Sequence, residues 1–274
     1  MPLPVFVGYR IIWFLYILAW LIAAILVRTD IEGVRWLIYL TNQSYILLVL
    51  GSGAITILTV GYAIAYLIDK RKLQSFYPQS ATTLRVTYKQ DNIPWYVKIC
   101  WLLYIMGAAA AIVVVVGFWS VIYDPNCEPL MSPNSTVSCI TIDVYSVHVH
   151  LINGILVILD LYLSRIPIQL LHIFYPAMFT LWWVIFSVVF FAAGGTNPFD
   201  GGPYIYEVLD YGNSPALSGG FAILIVISPF IGFILLFVLG WTRDVIYKKI
   251  PCCYRELQND RLDHQESSQA LEVV

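Results

Sequence analysis

The sequence predicts an all-α membrane protein, a six-transmembrane-helix bundle with both termini in the cytosol. Three observations carry that expectation. Of 274 residues, 59% are hydrophobic and only 12% charged, where a soluble domain is about one quarter charged; the mean hydropathy is +0.77. Six apolar runs, at 5–27, 36–68, 95–123, 144–163, 168–193 and 216–247, reach the roughly 20 residues that cross a bilayer. The 15 Lys and Arg are also sided. Alternating the loops puts Arg10, the basic loop after the second run, Arg165 and the basic carboxyl end on one face, and only Arg28 and Arg35 on the other. Such a bias marks the cytosolic side. The net charge of −2 adds little beside that sidedness.

In chain order, the first run is too long for a signal-peptide core and ends without a small-residue cleavage site, so it reads as a retained helix. A short loop, 28–35, makes helices one and two antiparallel neighbours. Helix two opens with Thr41-Asn42-Gln43-Ser44 and outlasts the bilayer, so it tilts or extends into the cytosol. Its Thr41, Ser44, Ser52, Thr56 and Thr59 fall within about 60° of one direction. For the last three, packing of one helix on another through small residues explains the stripe. The second loop, 69–92, is basic, with Lys70, Arg71 and Lys72 at the membrane edge.

The third loop, 124–143, holds the sequon Asn134-Ser135-Thr136 between Cys127 and Cys139. The charge count places it outside the cytosol, where a glycan at Asn134 and a Cys127–Cys139 disulfide are both permitted. A second nominal sequon, at Asn42, sits too near the lipid to be used. Helix five is aromatic (Trp182, Trp183, Phe186, Phe190, Phe191), as lipid-facing and packing residues are. The Gly- and Pro-rich fifth loop places Glu207 and Asp210 three apart, a spacing that lets both face the bundle. Cys252 and Cys253, beside basic residues at the cytosolic interface, suit reversible palmitoylation. Residues 1–250 form one six-helix domain, and 251–274 are polar enough to stay a disordered cytosolic tail.

Helix four carries the chemistry. Ionisable groups at membrane depth are expensive and mark function, and here Asp143, His150, Asn153 and Asp160 share one helical face. His148 points elsewhere. Asp143 and Asp160 separate in depth, and Asp160, near the cytosolic end, is expected to pair around Ser164 or Arg165. That leaves His150 and Asn153. Thr41 and His150 both lie roughly 8–9 Å inside the same membrane face, at 1.5 Å per residue. If they meet, the imidazole takes the hydroxyl proton as Thr41 attacks a carbonyl, with Asn42 or Asn153 steadying the histidine or the oxyanion. The plainer account is an interhelical hydrogen bond that only holds the bundle.

Four segments carry a resemblance: Tyr39 through Asn42, Phe118 through Asp124, His150 through Asp160, and Tyr204 through Asp210. With them the chain resembles the rolling-stone proteins, within the wider family of androgen-induced membrane hydrolases. The resemblance implies a multi-pass fold and, from the hydrolase branch, cleavage of fatty-acid esters of hydroxy fatty acids. It carries the nucleophile onto Thr41, the catalytic histidine onto His150, a glutamate of the hydrolases onto Asp160, and a tyrosine onto Tyr206. Asp210 closes the last matching segment as a further supporting candidate. The rolling-stone branch is associated with myoblast fusion, and Asn42 and the glycosylatable third loop depart from the hydrolases.

Two readings follow: an intramembrane lipid-ester hydrolase, or a non-enzymatic membrane protein of cell–cell contact or fusion. A proton-coupled transporter ranks behind both, since no helix has an obvious broken centre. The expected partners are membrane lipids, including a lipid-ester substrate. The expected location is the plasma membrane or endoplasmic reticulum. No basic stripe suits nucleic acid, and no glycine loop, zinc-spacing set or GxSxG elbow calls for a metal or cofactor.

Overall fold

A computed structural model describes residues 2–76, 94–123, 144–164 and 166–249. The chain runs through six long helices. These are α1 (Leu3–Glu32), α2 (Leu40–Phe76), α3 (Trp95–Gly117), α4 (Val144–Leu163), α5 (Phe174–Ala192) and α6 (Pro215–Lys249). Each contains a stretch long and apolar enough to cross a membrane, and no strand occurs among the described residues. Two corrections to the sequence boundaries stand out. Helix two starts at Leu40 rather than Trp36, because Gly33, at φ 61°, turns the chain into a 3-10 segment, Gly33–Ile38. α5 is likewise preceded by a 3-10 turn, Leu170–Ile173. As expected, α2 continues past its apolar span, which ends at Ile68, to Phe76.

α3 is the hub, touching α2, α4, α5 and α6. Its small buried face, Gly107 through Ala111, lets a neighbour in close. A Cβ on Gly51 of α2 would lie 2.6 Å from the Tyr104 nitrogen, and one on Gly107 would lie 2.6 Å from the Leu48 Cα. Glycine at both positions is therefore what allows this approach, the usual device where lipid supplies no hydrophobic force between helices. Leu48, Tyr104, Ile105, Ile112, Val157, Leu161, Phe233 and Leu236 fill the centre. The small polar stripe of α2 packs as expected: Ser52 accepts from Trp13 Nε1 at 3.4 Å, and Thr56, which donates to the Ser52 carbonyl of its own helix at 2.8 Å, lies 3.3 Å from the Arg10 carbonyl.

Two helices carry π turns at neighbouring points. Phe118–Ile122 extends α3, and His148–Ile152 lies inside α4. A π turn skips one carbonyl of the ordinary ladder and recurs at functional sites. Here the His150 carbonyl is satisfied from outside, by Trp119 Nε1 at 2.8 Å.

The ends of the helices are closed by specific groups. α5 stops in a Schellman motif: Gly194, at φ 73°, donates to the Phe191 carbonyl and Gly195 to the Phe190 carbonyl. The loop that follows is ordered. The Asn197 amide donates to the Ile205 carbonyl at 3.0 Å, and Ile205 and Leu209 bury beside Trp183 and Ile38. At the opposite end, buried Arg243 of α6 donates to the carbonyls of Leu161, Ser164 and Ile166 at 3.3, 2.9 and 3.2 Å. Those carbonyls lie at and just beyond the carboxyl end of α4, where helical partners run out and the dipole favours a cation. We call this end, shared with the start of α1, the terminal end. The other, with the α1–α2 connection and the loop 193–214, is the loop end. Asn134, Cys127, Cys139, Cys252 and Cys253 lie outside the described residues.

Candidate functional site

Three polar groupings occupy the bundle, and they differ in how far their hydrogen bonds are spent. The first corrects the expectation for Asp160. Its carboxylate is fully buried and makes no hydrogen bond to the Ser164 hydroxyl among the described residues, which do not include Arg165. It meets Arg10 of α1, with Nη1 3.1 Å from Oδ1 and 3.2 Å from Oδ2. The Tyr9 hydroxyl donates to Oδ1 at 2.6 Å, and the Tyr104 hydroxyl donates to Oδ2. The Arg10 guanidinium also lies over the Phe6 and Tyr9 rings, at 5.3 and 5.8 Å. A charge pair buried in an apolar bundle is most stable when its remaining donors and acceptors are also engaged; this carboxylate has both oxygens satisfied, while Arg10 Nε has no hydrogen-bond partner among the described residues. Sequence reasoning counted Arg10 as a topology signal. The signal that could have found the pair was present: Arg10 is a lone charge inside an apolar run, like Asp160, and each needed a partner.

The second grouping surrounds His148, which the sequence ranked below His150. His148 is fully buried, with its ring stacked on Trp20 at 4.1 Å and 11°. Tyr45 has a single hydroxyl proton, which goes to the Ile17 carbonyl at 3.0 Å. His148 Nε2 lies 3.1 Å from the same oxygen and Nδ1 lies 3.5 Å from the Tyr16 hydroxyl, the tautomer setting which nitrogen donates. Both ring nitrogens are spent in a knot of α1, α2 and α4. His148 is a structural residue.

The third grouping holds the Thr41 site. Between α3 and α6 lies a cavity of about 330 Å³, lined almost wholly by apolar side chains. Thr41 and Tyr206 lie together on its lining, and two further hydroxyls belong to Ser120 and Ser228. Ser120 donates to the Val116 carbonyl at 2.6 Å, and Ser228 to the Ile225 carbonyl at 2.9 Å. The second bond has a local cause: Pro229 lacks the N–H that would normally bond the carbonyl at 225, and the neighbouring serine replaces it. α6 nevertheless runs through Pro229 as one helix. Thr41 and Tyr206 are left as the polar end of the cavity.

Tyr206 is delivered by the ordered loop and packs against Tyr39 and Trp183, ring centres 5.6 and 5.7 Å away. Burial pushes its hydroxyl pKa up to about 12, while hydrogen bonds from the Thr41 hydroxyl and from the backbone N–H groups of Thr41 and Leu40 pull the other way. The Asn42 and Gln43 N–H groups of the first turn of α2 bond the Tyr39 carbonyl, so Leu40 and Thr41 are the two whose N–H groups act on the Tyr206 oxygen.

His150 lies next to this site without entering it. Its ring stacks on Phe118 at 3.7 Å and 5°, and Phe118 in turn lines the cavity. Thr41 and His150 therefore share a neighbour, but no hydrogen bond joins them among the described residues. Asn42 is committed elsewhere: its Nδ2 donates to the Trp36 carbonyl at 2.8 Å, and its Oδ1 accepts from Tyr145 at 3.0 Å. That buried amide is also the asparagine of the second sequon. Asn153 is buried at the start of the α-helical part of α4. Asp210 and Glu207 do not face the bundle. Glu207 is exposed, and Asp210 closes its own turn, accepting from the backbone N–H groups of Gly212 and Asn213 and from the Asn213 amide. Those bonds hold the Asp210 carboxyl below its ordinary pKa. Among the described residues no His, Cys, Asp and Glu cluster is built to hold a metal ion.

Residues 3–254 match the family described as Protein rolling stone. The chain belongs to the rolling-stone family. A relative of that name from Drosophila melanogaster is 25% identical over 210 residues, covering 76% of this chain and 67% of the relative. No solved structure matches. Membership accounts for nearly the whole chain, so the rolling-stone protein described here is an integral, multi-pass membrane protein.

Proposed function

We propose that this rolling-stone protein is an intramembrane lipid-ester hydrolase with Thr41 as nucleophile and His150 as base. The observation that carries the reading is the setting of Thr41: a hydroxyl beside Tyr206 at the polar end of an otherwise apolar cavity. The Thr41 oxygen attacks the ester carbonyl and its proton passes to His150. The alcohol leaves with that proton, and water then hydrolyses the acyl-threonine with His150 again as base. The Tyr206 hydroxyl and the backbone N–H groups of Leu40 and Thr41 are the candidate donors for an oxyanion beside Thr41. The reaction needs His150 to leave its stack on Phe118 and reach Thr41. Cleavage of fatty-acid esters of hydroxy fatty acids is the matching substrate class.

A second reading, a non-enzymatic protein of cell–cell contact or myoblast fusion, is favoured by one observation: Thr41 and His150 are not hydrogen-bonded, and His150 is held by Phe118. Labelling the purified protein with a fluorophosphonate separates the two. Hydrolysis predicts labelling that is lost in both Thr41→Ala and His150→Ala. Equal labelling of both variants, or none of the unaltered protein, leaves the contact reading.

The sided basic residues support cytosolic termini and a lumenal or extracellular third loop, in the plasma membrane or endoplasmic reticulum. A glycan at Asn134 is then expected, with a glycosidase-sensitive mobility shift that Asn134→Gln removes. A Cys127–Cys139 disulfide and palmitoylation at Cys252 and Cys253 belong to the same orientation.

A further inference from the structure

We infer that the cavity between α3 and α6 holds one acyl chain of a bilayer lipid, admitted sideways from the membrane, with its polar end at Thr41 and Tyr206. This deepens the hydrolase reading and rests on it only for what happens to the bound lipid. Three observations point to the occupant. The lining residues of α3 and α6 fall inside the spans 95–121 and 215–247, so the surroundings are hydrocarbon. The α6 lining runs from Phe221 to Leu235, about 20 Å at 1.5 Å per residue, comparable with the roughly 15 Å depth of one leaflet. Finally, water is a poor occupant of all but the Thr41–Tyr206 end, because a buried water needs two to four polar partners and the rest of the lining offers only Ser120 and Ser228, whose protons go to carbonyls of their own helices.

Volume limits how much of a chain is held. About 330 Å³ takes on the order of ten methylene-sized groups at the roughly 30 Å³ of a water-sized unit in a liquid. Leaving the space empty would forfeit the dispersion contacts of its walls, and an acyl chain is the filler that the bilayer supplies. The carbonyl end of that chain comes to rest by the one pair of lining hydroxyls not spent within a helix, Thr41 and Tyr206.

Gly117 offers a clean test. It lines the cavity, its backbone is ordinary α-helix, and a Cβ there would meet nothing within 4 Å. Gly117→Leu therefore fills the cavity while raising helix propensity, so it should fold at least as well as the natural chain. Gly61 of α2 is exposed, also has open space, and lies off the cavity, so Gly61→Leu is the control. The full chain is reconstituted in phosphatidylcholine vesicles whose acyl chain carries a photoreactive diazirine, and the crosslinked peptides are mapped. The expected result is enrichment at 112–121 and 221–235, reduced at least five-fold in Gly117→Leu and unchanged in Gly61→Leu. Crosslinks spread evenly over all six helices, or undiminished in Gly117→Leu, would overturn the inference. Fluorophosphonate labelling of the same preparation reads the chemistry separately: capture without labelling removes hydrolysis and keeps the lipid site, and labelling without capture does the reverse.

Discussion

At the terminal end of the bundle, Arg10 and Asp160 meet at 3.1 Å between two tyrosine hydroxyls, and Arg243 ties off the carboxyl end of α4. At the loop end, Thr41 and Tyr206 face an apolar space of about 330 Å³. Both ends place polar side chains among hydrocarbon, but the first leaves its carboxylate fully engaged and the second leaves room for a ligand. A closed network fixes helices against one another. An open cavity with a few hydroxyls pays a packing penalty that only an occupant can offset. Stability is therefore expected to reside at the terminal end and function at the loop end.

The largest effect should come from breaking the ion pair. Arg10→Leu or Asp160→Leu leaves an uncompensated buried charge, which costs about 3–5 kcal/mol. Thermal unfolding in detergent should show a large drop for either variant, and the Arg10→Leu, Asp160→Leu pair should recover much of it. If the single variants unfold like the natural chain, the terminal end is not the anchor. Thr41→Ala, by contrast, should leave unfolding nearly unchanged while removing any fluorophosphonate labelling.

A smaller effect is expected from Arg243→Gln, which weakens the charged donor at the end of α4. Hydrogen bonds to a charged group are worth about 1.5–3 kcal/mol. The loss should appear as faster amide exchange around 160–166, with the loop end unaffected.

The smallest is a pH effect on the exposed loop. The folded-state pKa of Asp210 is depressed, chiefly by the backbone N–H of Asn213 and then by its amide. Its contribution is full above about pH 4, near the ordinary carboxylate value, and is lost as pH falls through the lowered folded value. Carbon-13 NMR of the Asp210 carboxyl should give a midpoint below that of an ordinary aspartate, and Asn213→Ala should move it back upward.

How much of this was legible in the sequence follows from the kind of signal each feature leaves. The six spans were readable because bilayer thickness sets a minimum apolar length, and each run met it. The small-residue stripe of α2 was readable because helical periodicity puts Ser52 and Thr56 on one face. Thr41 was singled out on a depth counted from a helix start at Trp36; the helix starts at Leu40, so Thr41 sits in its first turn, at the edge of the apolar span rather than well inside it. The partner of Asp160 was missed because Arg10 lies 150 positions away, and nothing local joins them. His148 and His150 differ by two positions, so periodicity separated their faces. It could not say that one face meets three aromatic side chains of α1 and α2, and the other meets Phe118.

The sequence by itself determined the membrane class, the number of spans and the identity of the polar residues that lipid would not tolerate alone. Those are properties of single residues and of length, and they are written locally. Only the tertiary structure decided which polar residues are spent and which remain available. It paired Asp160 with Arg10, locked both nitrogens of His148, committed Asn42 to Trp36 and Tyr145, and left Thr41 and Tyr206 beside an open space. Those outcomes depend on how helices far apart in the chain pack together. Glycines at 51 and 107 set part of that packing, and the side chain each one lacks has its consequence only on the neighbouring helix.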